Sequence, residues 1–487
     1  MRTIHWLFLL FAFTLLIPQM YFSFSTPKDK TFLGFSFNPP DTFSYKMWIA
    51  QYAETPFAQN LYDISENKLR FFNPLLFLES IPVNMGLDFW IIDTAIKLVL
   101  FGAYLLMLER FVGLYLKGED REIAIAISVL FASPLTIKMY ETVFLSGYIY
   151  SLSALHLFLQ IVIMYIAVTG FSLRKAVLLF VCCMMLFLSH PYAIIYMSPI
   201  LSIFFFIEAR KRDEKQYLLW IFLISVILSI LIFQWEMNNS EQYKAWVQYR
   251  FHFDFLFVLV YFLPFSLTAV FGVFTLFKRR IISSKEALLV LWAGCVMAII
   301  LFMPIFSGFN IPLQPQKFVI GLTAPLLLLS FTNRAVAGLI RKFAPHMLAV
   351  FVFCHYAFFA LYMQVGIDRS YVKNDVISAF ILLKDDPGVT VVMSSDINSV
   401  LSPFHTKKYS YPGHWGLSSD FEEKKKLSSS IVEDGDMKKL GEFCKLNMNA
   451  AVVTEKDEKL YDELIKNTYS GVRLIGDAAI IRCMDFE

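Results

Sequence analysis

Between residues 88 and 365 the chain is a succession of apolar runs cut by short polar connectors, near 88–114, 122–138, 146–170, 174–189, 191–208, 217–234, 254–277, 285–306, 312–332 and 345–365. So many runs of that length do not fit one soluble core. With the N-terminal run, the length rule for crossing a bilayer makes them about eleven transmembrane helices. Composition agrees, with 57% hydrophobic and only 17% charged residues, the signature of an integral membrane protein. A formal charge of +3 with no dense basic tract in the polar segments lacks the footprint of a nucleic-acid binder.

The N-terminal run, Thr3 to Met20, has the length of a signal peptide or a short membrane helix. It has no convincing small-x-small cleavage site, so a retained helix over residues 1–21 is expected. Lys117 and Arg121, Arg174 and Lys175, Arg210-Lys211-Arg212 with Lys215, Lys278-Arg279-Arg280, and Arg334 with Arg341-Lys342 all fall in connectors on one side. By the positive-inside rule that side is cytoplasmic, in a plasma (inner) membrane. The polar clusters then collect on the outer side, where ordinary connectors would be short and bland.

The first of these clusters is a long insertion, residues 22–87. It opens with Phe37-Asn38-Pro39-Pro40-Asp41-Thr42-Phe43-Ser44-Tyr45, and a helix-like run follows from Thr42 to Glu54. A second short apolar run is Phe71 to Leu78. Both are too short to span and read as helices lying at the membrane interface. Asp41 is the first candidate for chemistry. It can also serve as a helix N-cap, and the two roles are compatible.

Other outward candidates are Glu141, the corner His190-Pro191-Tyr192, the loop 235–254 with Arg250, and the stretch Asn310 to Phe318 with Gln316 and Lys317. Each has a plain alternative: a solvated loop acid, a helix-breaking corner, an interfacial aromatic belt and a snorkelling lysine respectively. Within the spans, Asp93 and Lys97 stand one turn apart as the main charged pair, short of the continuous polar path of an ion-coupled transporter. The chain has no P-loop, GxGxxG, HExxH or GxSxG.

From residue 366 to 487 the chain turns polar. Val389 to Met393, Ala450 to Val453 and Ala478 to Ile481 read as short strands, and Asp436 to Cys444 and Lys456 to Ile465 as helices. A small α/β domain follows, on the outer side if the span count is odd. Cys444 and Cys483 lie in it, either as a disulfide or as two buried thiols.

This order of elements resembles the GT-C superfamily of polytopic membrane glycosyltransferases: one membrane helix, a large outer loop with an aspartate and two short helices, about ten spans, and a terminal outer domain. Pro39-Pro40-Asp41-Thr42-Phe43-Ser44-Tyr45 with Trp48-Ile49 and Gln51, His190-Pro191-Tyr192, Gln316-Lys317-Phe318 with Gly321, and Gly413-His414-Trp415 carry the resemblance, which covers most of the chain. It implies an α-helical polytopic fold and transfer of a sugar from a polyprenyl-phosphate donor to a glycan, lipid or protein acceptor. Asp41 would be the general base and Lys317 the cation near the donor phosphate. Glu141, His190, Tyr192, Arg250, Tyr45 and Gln316 would contact substrate. The paired acidic motif common in that superfamily's first loop is missing, since Thr42 follows Asp41. No metal ligand is assigned, although the reading leaves room for a divalent cation. Two other classes remain open on sequence: a flippase or transporter of a lipid-linked glycan, and a non-catalytic envelope scaffold.

Overall fold

A computed structural model describes residues 3–34, 39–63, 72–132, 151–211, 214–238, 255–279, 282–306, 320–366, 370–414, 418, 420–467, 469 and 471–486. Helix α1 (Thr3–Phe24) is followed by a short strand β1 (Lys30–Phe32), then α2 (Pro39–Gln51) and α3 (Pro74–Asn84) of the outer loop. The apolar body comprises α4 (Phe89–Val112), α5 (Gly118–Leu130), α6 (Ser151–Val168), α7 (Leu173–Ser189), α8 (Tyr192–Ala209), α9 (Glu214–Asn238), α10 (Phe255–Lys278), α11 (Ser284–Phe306), α12 (Thr323–Ser330) and α13 (Arg334–Gly366).

Among the described residues, five helices are long and apolar enough to cross a membrane: Thr3–Phe24, Phe89–Val112, Lys215–Ile232, Ser284–Phe302 and Arg334–Phe353. Within α6, α8 and α10, apolar stretches of described residues run over Ala154–Val168, Ala193–Ala209 and Phe262–Lys278. The expectation of about eleven spans counts apolar runs along the whole chain, and parts of several of them lie outside the described residues. The run expected over 312–332 is described only from residue 320. Its helix α12 has eight residues, all buried, so it is enclosed by other helices. There α10 approaches so closely that a Cβ on Gly272 would collide with the Leu329 carbonyl, and the Thr332 hydroxyl donates to the Gly272 carbonyl at 3.1 Å.

The basic connectors do gather at one end of the bundle. Lys215 donates to the carbonyls of Ala167 and Thr169 at 2.8 Å each, and Ser284 donates to Glu208 at 2.8 Å. Arg279 donates to the Thr332 carbonyl at 3.2 Å, and Arg341 makes a two-pronged pair with Asp120 at 2.6 and 2.8 Å. These contacts tie the connectors around Asp120, Thr169, Glu208, Ser284 and Thr332 to one another.

The C-terminal part begins with β2 (Tyr371–Lys373), which pairs antiparallel with β1 in the register Lys30 to Lys373. It continues with α14 (Asn374–Lys384), β3 (Val391–Met393), α15 (Asp396–Thr406), β4 (Tyr409–Tyr411), α16 (Phe421–Val432), α17 (Met437–Leu446), β5 (Ala450–Glu455), α18 (Lys459–Lys466), β6 (Val472–Ile475) and β7 (Ala478–Arg482). The five-stranded sheet has the order β4-β3-β5-β7-β6, parallel from β4 to β5 and antiparallel beyond. Both faces are buried, so period-2 alternation splits β5 between two cores. Ala450 and Val452 pack with Phe443 and Leu460, while Ala451 and Val453 pack with Phe380 and Leu401. Cys444 and Cys483 form a disulfide that pins α17 to the end of β7.

The second of those cores is also the core of the outer loop. Phe43, Met47, Trp48, Ile49 and Tyr52 of the α2 region, with Leu61 and Tyr62, are buried against Val376, Phe380, Val400 and Leu401. The apolar side of α2, read from the sequence as lying at the membrane interface, packs on the C-terminal part. Polar links follow the same seam, with Tyr62 donating to the Val400 carbonyl at 2.7 Å, the Ser410 N–H to the Leu61 carbonyl at 2.8 Å, and Gln59 to the Tyr409 hydroxyl at 2.6 Å.

Candidate functional site

Helix α2 opens at Pro39-Pro40, where missing N–H groups cost nothing because the first turn has no intrahelical acceptors. Asp41 is therefore the third residue of the helix, inside the first turn, rather than its N-cap. An acid there suits the positive end of the helix dipole. Its side chain lies outside the described residues. Tyr45, one turn on, is half-buried, packs against both the membrane core and the outer core, and sets its ring at 5.5 Å from that of Trp48.

Lys46, next to Tyr45 on this helix, is buried. It is 4% exposed, donates to the Leu33 carbonyl, and lies 5.3 and 5.0 Å from the ring centres of Phe43 and Phe89. Burial lowers its pKa to about 7, against the opposing pull of Asp93 and Asp88. On the C-terminal side, burial and then the Lys46 charge hold His405 down to about 4. Asp93 in turn pairs with Lys97 one turn along α4, as their spacing suggested.

A second set of polar side chains lies under the outer corner of the bundle. His190 is the C-cap residue of α7: it is buried, its backbone N–H donates to the Leu186 carbonyl at 2.8 Å, and its ring meets that of His156 edge-on at 4.6 Å. His156 Nε2 and the Tyr196 hydroxyl are 2.6 Å apart, and Gln160 Nε2 donates to the same hydroxyl at 3.2 Å. Beyond Ser189, whose Oγ lies 3.5 Å from Asn73 Oδ1, the set joins the outer loop. Asn73 Oδ1 caps α3 by accepting from the N–H groups of Leu75 and Leu76, and the Asn73 N–H donates to the Tyr52 hydroxyl at 2.9 Å. At the other end, Gln160 touches Gly321, whose N–H donates to the Ala132 carbonyl at 2.8 Å.

A polar seam thus runs from Tyr52, just past the Asp41 helix, to the turn at Gly321. Its far end is where two segments bearing candidates meet the described fold. The segment with Glu141 follows Ala132, and the segment with Gln316 and Lys317 precedes Ile320. Glu141, Gln316, Lys317 and Arg250 themselves lie outside the described residues, as does the side chain of Tyr192, whose backbone opens α8. The expectation that Asp41 and Lys317 border one outward-opening cavity falls outside them too. Of the candidates, His190 and Tyr45 are placed with their side chains.

Sequence reading missed Gln160, His156, Tyr196 and Asn73. A signal existed for the first two: His156 and Gln160 are four apart, hence on one face, in an otherwise apolar helix. Asn73-Pro74 likewise has the form of a capped helix start. Among the described residues, no group of three or more His, Cys, Asp or Glu is placed to hold a metal ion.

No family model matches the chain, and no curated protein matches it in sequence. Solved structures do match in shape. The chain superposes on ArnT from Cupriavidus metallidurans bound to undecaprenyl phosphate with a TM-score of 0.51 and 13% identity, covering 98% of each chain. It superposes on the Archaeoglobus fulgidus oligosaccharyltransferase in complex with Zn and sulfate with a TM-score of 0.50 and 12% identity, covering 94% of this chain and 69% of that one. For the apo form of the latter the TM-score is 0.51 at 12% identity, with 96% and 72% covered. Both neighbours are GT-C glycosyltransferases. Nearly full-length superposition across the loop, the bundle and the terminal sheet identifies the chain as a membrane protein of the GT-C fold.

Proposed function

We propose that the chain is an inverting glycosyltransferase that moves a sugar from a polyprenyl-phosphate donor to an envelope glycan, lipid or protein acceptor on the outer face of the membrane. The observation that carries the reading is the placement of the Asp41 helix. It is clamped between the membrane core and the C-terminal part, and the polar seam runs from its end to the turn that follows Lys317 in sequence. Undecaprenyl phosphate bound to the ArnT neighbour supports a lipid phosphate as the donor's carrier. The disulfide supports an oxidising compartment for the C-terminal part, and the gathered basic connectors support a cytoplasmic opposite end.

In this reading the acceptor's hydroxyl oxygen attacks the anomeric carbon from the face opposite the phosphate. As the new C–O bond forms, its proton passes to the Asp41 carboxylate. The bond to the phosphate oxygen breaks, its electron pair leaves with the polyprenyl phosphate, and Lys317 with Arg250 offsets the charge. Glu141, His190, Tyr192, Tyr45 and Gln316 position donor and acceptor. One carboxylate and one or two cations suffice for a donor that already has a good leaving group. A divalent cation is tested by chelation in the same assay.

The test is transfer from a radiolabelled polyprenyl-phosphate sugar in membranes of wild type and Asp41→Asn. A loss of about 10²–10⁴-fold is expected for removal of a general base. Full transfer by the variant removes Asp41 from the mechanism. Translocation of label without a new glycosidic bond in the wild type establishes a flippase instead.

A further inference from the structure

Two buried amides of the seam, Gln160 and Asn73, each carry an atom with no hydrogen-bond partner among the described residues. Gln160 is 0% exposed, its Nε2 is spent on Tyr196, and its Oε1 has no donor. Asn73 is 1% exposed, its Oδ1 is spent on the start of α3, and its Nδ2 has no acceptor. A buried amide atom left without a partner costs about 1–3 kcal/mol. Two of them in one connected set, one an acceptor and one a donor, therefore call for an occupant.

The surroundings fix these amides in place. Tyr196 is held from one side by His156 at 2.6 Å, so its hydroxyl is not free to swing, and Gln160 is anchored to it. Gly321 has φ +77 and stands where any Cβ would strike Gln160 Oε1, so the glycine makes the room that the amide occupies. The turn is locked by the Gly321 N–H to Ala132 carbonyl bond and by the Thr323 hydroxyl donating to the Phe131 carbonyl. An amide held this rigidly has lost its conformational freedom before anything binds.

The chemistry of the seam selects its ligand. Asn73, Ser189, His190, His156, Tyr196 and Gln160 include no carboxylate, lysine or arginine, so they offer little to a phosphate and much to neutral hydroxyls, which donate and accept at once. We infer that the seam is the subsite for the sugar of the donor, with the Gln160 amide as its specificity-determining group. The inference rests on the donor reading given above. It assigns the lipid phosphate and the sugar to different residues, and that division makes it separately testable.

Full-length protein in detergent is titrated with decaprenyl phosphate and with decaprenyl-phosphate conjugates of glucose, mannose, galactose and arabinose. At least one conjugate binds the wild type tighter than the bare lipid, by about ten-fold for one or two neutral hydrogen bonds. Gln160→Leu removes that increment while binding bare decaprenyl phosphate as the wild type does, which also shows that the variant is folded. Gln160→Asn keeps the amide but shortens its reach by one methylene, and it loses the increment as well. If both variants keep the increment, or if the bare lipid binds and no conjugate binds tighter, the subsite assignment is overturned and the donor-lipid reading stands. If neither the bare lipid nor any conjugate binds, the donor reading falls and takes the subsite with it.

Discussion

Gly321 donates its N–H to the carbonyl of Ala132 at 2.8 Å, so two points 189 residues apart in sequence are one point in the fold. From this knot the chain departs into the segment with Glu141 and returns from the segment with Lys317. Its geometry depends on a missing side chain. At φ +77 an L-residue is strained by about 1–2 kcal/mol, and the added methyl would also displace Gln160. Gly321→Ala is therefore expected to lower the unfolding midpoint in detergent. Adding Gln160→Ala should recover the steric part and leave the backbone part. A double-mutant cycle reads the two apart, and strict additivity would refute the contact.

Lys46 gives the fold a pH dependence with a definite sign. Its pKa in the folded chain is about 7, and a lysine in the unfolded chain titrates near 10.4. Between those values the unfolded state holds the extra proton, so stability rises as pH rises from about 7 towards 10 and is flat, for this group, below 7. The slope is at most about 1.4 kcal/mol per pH unit. Lys46→Met should flatten it, as measured by urea midpoints between pH 7 and 9.5. An unchanged slope would mean that the lysine is hydrated and not buried against Phe43 and Phe89.

The disulfide closes a loop of 39 residues around α18 and the β6–β7 pair. Loop-closure entropy puts its worth at about 2–4 kcal/mol. Cys444→Ala with Cys483→Ala should make residues 437–486 the first part of the chain cut by protease, with little change in the membrane bundle, whose core is separate. Equal protease resistance of the double variant and the wild type would show that the sheet holds without the bond.

The sequence made the apolar helices legible because lipid imposes their length, and it made β3, β5 and β7 legible because both faces of the sheet are buried and apolar. The strand β1 was not readable: three residues, Lys30–Phe32, pair with Tyr371–Lys373 across more than 300 positions, and no local pattern records such a pairing. The same holds for the destination of α2. Phe43, Met47 and Trp48 look alike whether they meet lipid or Phe380 and Leu401. Asp41 was legible from Pro-Pro and a following helix. The seam was not, since Asn73, His190, His156, Tyr196 and Gln160 come from separate elements, and only His156 and Gln160 are neighbours on one helix face.

The pair Asp93 and Lys97 separates a structural role from a transport role. Lys97 is 2% exposed, its partner is one turn away on α4, and Lys46 lies near enough to feel the same carboxylate. Removing only the acid strands buried positive charge, so Asp93→Asn should destabilise the chain by about 3–5 kcal/mol. Replacing both with apolar residues of similar size, Asp93→Leu with Lys97→Met, should cost far less, because a buried pair returns little more than its desolvation. If the pair is only structural, sugar transfer survives in the double variant to the extent that the fold does. If it is instead a step in moving charge or substrate through the bundle, the double variant stays folded and loses function completely. Unfolding midpoints and the transfer assay, measured on the same preparations, decide between these outcomes.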